Sequence, residues 1–550
     1  MSRSPLAPSA ATAPTPSAPA AAHRPADILA DVPEEVRAEV AELFEQAVAE
    51  HRTSGVTWAV IGGHTHDRPV LTHGAAGGEH LVDGAPAPGS GPMRRESISR
   101  IASMTKSFTA AAILALRDEG RLRLDDEVAE HLPEAAGLLR GTQHLLLADS
   151  PALTLRHLLT MSAGLVTDNP WGDRQEAMTR EEFARLLAEG LGFVHRPGTG
   201  FEYSNTGYAL LGRVIDEVAG APYPQVIHDR FLRPLGMEDT AFSREGLPED
   251  RVATGHRLAD REDATRFEAV PFDAPGVYGA MAGLYSSVDD VARWVRFLAA
   301  AELPPAHAAE GSAGSTGGDF LLAAASRREM QQVHRLQVTP PLPAGPDGVS
   351  PGFDRVRGYG MGLVVERFAD LGEIISHSGG YPGYGSFMAW HRGSGVGIVA
   401  LANSKYAPAV PLGMQALRVL ARRLPGLLSA PGPAADPRTL QAAAAILDWL
   451  RTGDDAPADA WFADSMDLDQ PREERLRRRD AALEAAGLRR EDLERLSAES
   501  AEVVSRAHLR WTLPAADAGP TPLQLRIDLE MDPRRLALVQ AVTVRTAPVG

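Results

Sequence analysis

The stretch IASMTKSFT (residues 101–109) places the hydroxyl of Ser103 and the amine of Lys106 three positions apart. On a helix, residues at that spacing share a face at about 5–6 Å. Serine is a poor nucleophile until a base removes its proton. Lysine can be that base when its surroundings bring its pKa from about 10.4 towards 7–8. Arginine cannot, because its guanidinium stays protonated. The chain carries 55 basic residues, of which two, Lys106 and Lys405, are lysine. A lysine written where arginine is the habit suits a position that needs a removable proton. A solvated lysine on an ordinary helix meets the same spacing, so the pair does not decide the matter alone.

The elements around this pair follow from periodicity. Val36, Val40, Leu43, Phe44 and Val48 recur at helical spacing within 32–52, and VTWAVIGG (56–63) and RPVLTHGAAG (68–77) read as a hairpin. ESISRIAS reads as a third short strand that runs into the Ala/Leu-rich helix MTKSFTAAAILALRDEG, stopped at Gly120. Ser103 thus lies where strand gives way to helix, and the helix N-terminus favours negative charge beside it. Residues 125–275 are mostly helical, whereas GYGMGLVVERF, EIISHSGG, YGSFMAWHR and VGIVALAN read as strands before an amphipathic helix over 412–424. Strands at both ends therefore enclose an inserted helical domain, an α/β (α+β) fold with one antiparallel sheet flanked by helices. The Ala/Pro-rich residues 1–28 read as a disordered tail, and 302–318 and 339–352 as loose segments. Residues 428–437 read as a linker to a small α+β accessory domain, 438–550. There Leu525, Ile527, Leu529 and Met531 alternate with Arg526, Asp528 and Glu530, the pattern of a sheet with one wet face.

Two further fragments stand out: Tyr203-Ser204-Asn205 before an apolar helix, and His377-Ser378-Gly379-Gly380 at the end of a strand. With SMTK, this trio resembles the serine hydrolase family of class C β-lactamases, D-alanyl-D-alanine carboxypeptidases, D-aminopeptidases and related esterases. LRLDDEVAEHLPE, LTLRHLLTMSAGL, LRPLGMEDTAF and MAGLYSSVDDVARW are similar to the same family, so the resemblance spans about residues 30–425. It implies a β-lactamase/transpeptidase-like fold and an acyl-enzyme on Ser103. Lys106 and Tyr203 would share the proton, the positive charge of Lys106 lowering the Tyr203 pKa. Asn205 would bind the substrate amide or orient Lys106. The N–H groups of Ser103 and Gly380 would form the oxyanion hole, with Gly379 and His377 beside them on the substrate-binding strand. Family members that hydrolyse β-lactams usually carry Lys-Thr-Gly on that strand. His377-Ser378-Gly379 offers a mostly neutral imidazole instead, which favours an ester or amide of a small molecule over antibiotic hydrolysis. A β-lactamase or D,D-peptidase, and a catalytically silent scaffold, are the alternatives.

Composition narrows the field. A formal charge of −17 excludes a basic face for nucleic acid or anionic membrane. The chain has no cysteine, so disulfides, thiol catalysis and Cys-ligated zinc are excluded. No stretch reaches the roughly 18 apolar residues of a membrane span, and no secretory h-region is seen, which reads as a cytoplasmic protein. No cofactor and no metal are expected: His64 and His66 form a pair without a third ligand. RLRRRD (475–480) reads as a solvated helix face, HGAAGGEH lacks phosphate-loop spacing, and Trp171 is placed at the cleft or in ordinary packing.

Overall fold

A computed structural model describes residues 32–63, 66, 68–138, 150, 152–260, 262–272, 274–302, 320–337, 355–405, 407–429, 432–515 and 523–548. The proposed tail, most of both loose segments and His64 lie outside the described residues. The chain forms two units, Met1–Ser429 and Ala430–Gly550.

The first unit is built on an eight-stranded antiparallel sheet. Its strands are β1 (Gly55–Ile61), β2 (Val70–Gly77), β3 (Arg335–Gln337), β4 (Arg355–Tyr359), β5 (Val364–Phe368), β6 (Gly372–Tyr381), β7 (Tyr384–His391) and β8 (Gly397–Ala402), in the order β2-β1-β8-β7-β6-β5-β4-β3. Strands β1, β7 and β8 are buried along their whole length. Their side chains alternate between two cores, as the two-residue period demands. Trp58, Phe387 and Ile398 face helices α1 (Glu34–Ala49) and the late helix Ala409–Arg423, while Ile61, Met388 and Val399 face the core that holds α2 (Thr105–Asp118). Helix α2 has a good helix-forming run, TAAAILAL, and Gly120 beyond its end takes a left-handed φ of 72°. Every residue from Thr105 to Leu116 is buried, which is why apolar side chains occupy all sides of its middle, Ala110–Leu116.

Between β2 and β3 lie the inserted helices, among them α3 (Asn169–Gly172), α4 (Asn205–Ala219), α5 (Gly279–Ala282) and α6 (Val288–Ala299). Phe108 of α2 stacks on Trp294 of α6 with ring centroids 3.9 Å apart. Three elements differ from the sequence expectation. ESISRIAS contributes only Ser99–Arg100, paired with Tyr285–Ser286 outside the main sheet. GYGMGLVVERF is interrupted at Gly362, whose φ of 72° turns β4 into β5; a Cβ there would lie 2.7 Å from the Lys106 carbonyl oxygen. The edge strand β3 is three residues of mixed polarity, too short to announce itself by alternation.

The second unit packs helices Pro437–Thr452 and Arg472–Ala485 with a four-stranded sheet, Glu502–Ser505, His508–Pro514, Leu523–Met531 and Val539–Pro548, joined in that order. Leu525, Ile527, Leu529 and Met531 are buried as the alternation requires. Asp528 on the opposite face is also buried, because His508, Arg510 and Arg526 close over it. In RLRRRD, Arg477 and Arg478 are solvated, but Arg479 is buried and donates to the Leu450 carbonyl. No helix among the described residues is long and apolar enough to cross a membrane.

Candidate active site

Ser103 occupies a single 3-10 turn, Ala102–Met104, that feeds directly into α2. Ala102 holds a φ of 48°, a left-handed backbone that a residue with a Cβ adopts rarely and at a cost of about 1–3 kcal/mol. That bend carries Ser103 to the floor of a cleft of about 550 Å³. The cleft is also lined by Asn169, Asp173, Arg174 and Tyr203 from the insertion, by Arg357, Tyr359, His377, Gly379 and Gly380 from the sheet, and by Lys405 beyond β8.

Lys106 is fully buried, and its Nζ lies 3.2 Å from Ser103 Oγ, 2.8 Å from Asn205 Oδ1 and 3.0 Å from the Met281 carbonyl oxygen. Burial lowers its pKa to about 7, with Asp173 and then Asp168 opposing the shift. The contact set has a chemical consequence. Asn205 Oδ1 and the Met281 carbonyl can only accept, so they take the two hydrogens of a neutral amine. The lone pair is then left towards Ser103.

Asn205 is the first residue of α4, and its Nδ2 donates to Asn169 Oδ1 at 3.0 Å. It does not cap its helix: Ser204 does, accepting from Gly207 N at 3.1 Å. Asp168 accepts from the backbone N–H groups of Asn205 and Thr206 at 2.6 and 2.8 Å. Asp168 thereby satisfies two helix-terminal donors and leaves the Asn205 side chain to Lys106.

The Tyr203 ring lies 4.9 Å from Lys106 Nζ. Burial raises its pKa, and a hydrogen bond with Ser103 pulls the other way. This corrects the expectation of a phenol acidified by lysine: the desolvation that makes Lys106 shed its proton also keeps Tyr203 neutral.

His377 sits within β6 rather than at its end. Its Nδ1 is 2.7 Å from the Ser378 carbonyl oxygen and its Nε2 3.2 Å from the Tyr359 hydroxyl, so both nitrogens are engaged. Burial and the nearby Lys106 lower its pKa to about 3, leaving the imidazole neutral. The two glycines differ. A Cβ on Gly379 would lie 2.3 Å from the Ile101 carbonyl oxygen and 3.0 Å from Ala102 Cβ, so β6 can approach the nucleophile turn only with glycine there. A Cβ on Gly380 would meet nothing within 4 Å. Pairing of β5 with β6 stops at Val364–Ser376, whereas β6 and β7 pair through to Tyr381–Tyr384. Residues 377–380 therefore present a strand edge on the β5 side that β5 does not pair.

The structure thus brings Ser103, Lys106, Tyr203, Asn205, His377, Gly379 and Gly380 around one cleft. Sequence reasoning gave no role to Asp168, Asn169, Asp173 or Arg357, which carry no local signature, and touched Met281 only as the first residue of MAGLYSSVDDVARW. Lys405 did carry one, as the second of two lysines. Trp171 packs edge-on to Tyr278 at 5.8 Å and is 43% exposed; its neighbours Asn169, Pro170 and Asp173 line the cleft in its place. Among the described residues no cluster of three or more His, Asp or Glu could hold a metal.

The Beta-lactamase family profile matches residues 40–422. The chain belongs to that family. This member is 29% identical over 320 residues to Protein flp of Staphylococcus aureus, an alignment covering 56% of this chain and 53% of that one. The chain thus spans about half the length of that relative. It is 26% identical over 381 residues to Penicillin-binding protein 4* of Bacillus subtilis, covering 66% and 71%. Among solved structures it shares the fold of the octameric penicillin-binding protein homologue from Pyrococcus abyssi, with a TM-score of 0.54 and 20% identity over 92% of this chain and 99% of that one. It is a β-lactamase-family protein of the serine hydrolase superfamily, with the fold that the motifs led one to expect.

Proposed function

We propose that this β-lactamase-family protein hydrolyses an ester or amide of a small molecule through an acyl-enzyme on Ser103. One observation carries the reading: a fully buried Lys106, with a pKa near 7, lies 3.2 Å from the Ser103 hydroxyl while its other contacts accept hydrogen bonds only. Neutral Lys106 takes the Ser103 proton as Oγ bonds to the substrate carbonyl carbon, and the carbonyl electron pair moves onto oxygen. The N–H groups of Ser103 and Gly380 receive that oxyanion, the second from the open strand edge; one such donor is typically worth about 10²–10³ in rate. Tyr203, held neutral, supplies a proton to the leaving group and is resupplied by Lys106. Water then releases the acid by the same route in reverse.

His377 carries no charge with which to hold a substrate carboxylate, which favours ester or amide cleavage over β-lactam hydrolysis. Likeness to Penicillin-binding protein 4* supports the second reading, a β-lactamase or D,D-peptidase. Incubation with a fluorophosphonate and with a chromogenic cephalosporin, read by intact mass and absorbance, separates the two. The first reading expects a phosphonyl adduct that Ser103→Ala abolishes, and slow or no cephalosporin turnover. Fast cephalosporin turnover favours the second. A folded wild-type chain that takes neither reagent contradicts both.

A further inference from the structure

Asp173 is the one carboxylate among the cleft-lining residues; its backbone N–H donates to the Asn169 carbonyl at 3.1 Å, but its side chain makes no hydrogen bond or ion pair among the described residues. Its position is imposed by the segment before it. Asp168 and Asn169 bond to Asn205, and Gly172 packs so close that a Cβ would lie 3.0 Å from Asn205 Cβ. Asp173 follows at once, half-buried, one residue after the glycine that packs on the asparagine holding Lys106, and it lines the same cleft as Ser103. A partly desolvated carboxylate without a partner is expensive to keep. A cation that appears only during the reaction would repay it.

Resting on the reading of Lys106 as the base, we propose that Asp173 is a positioning residue that stabilises the ammonium formed when Lys106 accepts the Ser103 proton. Asp173 itself neither gives nor takes a proton in that step. The other groups facing Lys106 are acceptor dipoles and ring faces that favour an ammonium without neutralising it, or a carboxylate already engaged. Ser103 supplies the proton, and the rings of Tyr203 and Tyr208, 4.9 and 5.6 Å away, stay neutral. Asn205 and Met281 are hydrogen-bond acceptors, His377 is neutral, and Asp168 is engaged by the N–H groups of Asn205 and Thr206 and by the Thr206 hydroxyl. Around Asp173 the charges are Lys106, Lys405, Asp168 and Arg174. Burial raises its pKa to about 6, and the two lysines, Lys106 foremost, pull it back.

The scarcity of lysine makes this measurable in the full chain. Labelling with [ε-13C]lysine gives two side-chain signals, Lys106 and Lys405, told apart with Lys405→Arg. In Asp173→Asn we expect the Lys106 titration midpoint to fall by about one unit. At pH 8.5, where Lys106 is neutral in both proteins, phosphonylation of Ser103 should slow by about tenfold, the rate equivalent of that shift. Asp173→Glu should restore both. The melting temperature of Asp173→Asn should match or exceed the wild type, since an unpaired charge has been removed; a merely structural aspartate would lower it. A midpoint that stays put, or a rate at pH 8.5 that does not fall, overturns the proposal. Absence of any adduct in the wild type sinks the hydrolase reading instead, and the lysine titration still reports on Asp173.

Discussion

Both units bury charged side chains, and the cleft of the first treats them in the opposite way to the sheet of the second, although elsewhere the first unit also pairs its buried charges, as in Arg100–Glu176. In the second unit Asp528 accepts from His508, Arg510 and Arg526, and these bonds outweigh its burial and lower its pKa to about 2. In the cleft, among the described residues, Lys106 has no carboxylate within ion-pair reach and the Asp173 side chain has no partner, so burial drives them to about 7 and about 6. Pairing moves a pKa away from neutrality and buys stability; burial without pairing moves it towards neutrality, where a proton can be exchanged at working pH. The cleft also keeps a strained Ala102. The difference separates a site from a scaffold, although both regions satisfy the same packing rules.

The largest effects should come from the cleft. Ser103→Ala should remove all phosphonyl labelling and at least about 10³-fold of any esterase rate. Lys106→Arg, which fixes a positive charge where the working lysine is neutral and cannot lose its proton, should cost about 10²–10⁴-fold with the fold retained by circular dichroism. The glycine pair sharpens the contrast within one strand. Gly379→Ala must displace the Ile101 carbonyl and the nucleophile turn, so its melting temperature should drop by the equivalent of about 1–3 kcal/mol. Gly380→Ala has open space and should melt like the wild type while hindering bulky esters, seen as a raised KM. Outside the cleft, Asp528→Asn should leave the labelling rate unchanged and cost about 1–3 kcal/mol in urea unfolding at pH 7, with the second unit affected first.

The two regions should also part with pH. A carboxylate whose folded pKa is lowered, as for Asp528, contributes stability in full above its unfolded pKa of about 3.9 and loses it as pH falls through about 2. A mid-acid melt at pH 5 should therefore leave the second unit intact. A reaction that needs neutral Lys106 should be losing rate at that same pH.

Much of the site was legible because its chemistry is written locally. One helical turn links Ser103 to Lys106, so spacing alone suggested that pair, whereas Tyr203, Asn205 and the 377–380 strand were joined to it by the family resemblance. The sheet strands were legible wherever side chains alternate between two cores, as along β7. What escaped was set by tertiary structure. Asp173 lies among polar residues with no period, Met281 acts through its carbonyl, and Arg357 reaches the cleft only because β4 pairs beside β5. The acidity of Tyr203 was misjudged because neighbouring charge is visible in a motif and desolvation is not. Asp528 was read as wet for a related reason: alternation gives the face, whereas its cover comes from a neighbouring strand.

The rate of Ser103 phosphonylation as a function of pH tests the central claim most directly, with the adduct mapped by peptide mass spectrometry. A neutral, buried Lys106 predicts labelling confined to Ser103, rising through a midpoint near 7 and nearly absent in Lys106→Arg. Labelling of a different residue, or an equal rate in Lys106→Arg across the same range, would contradict it.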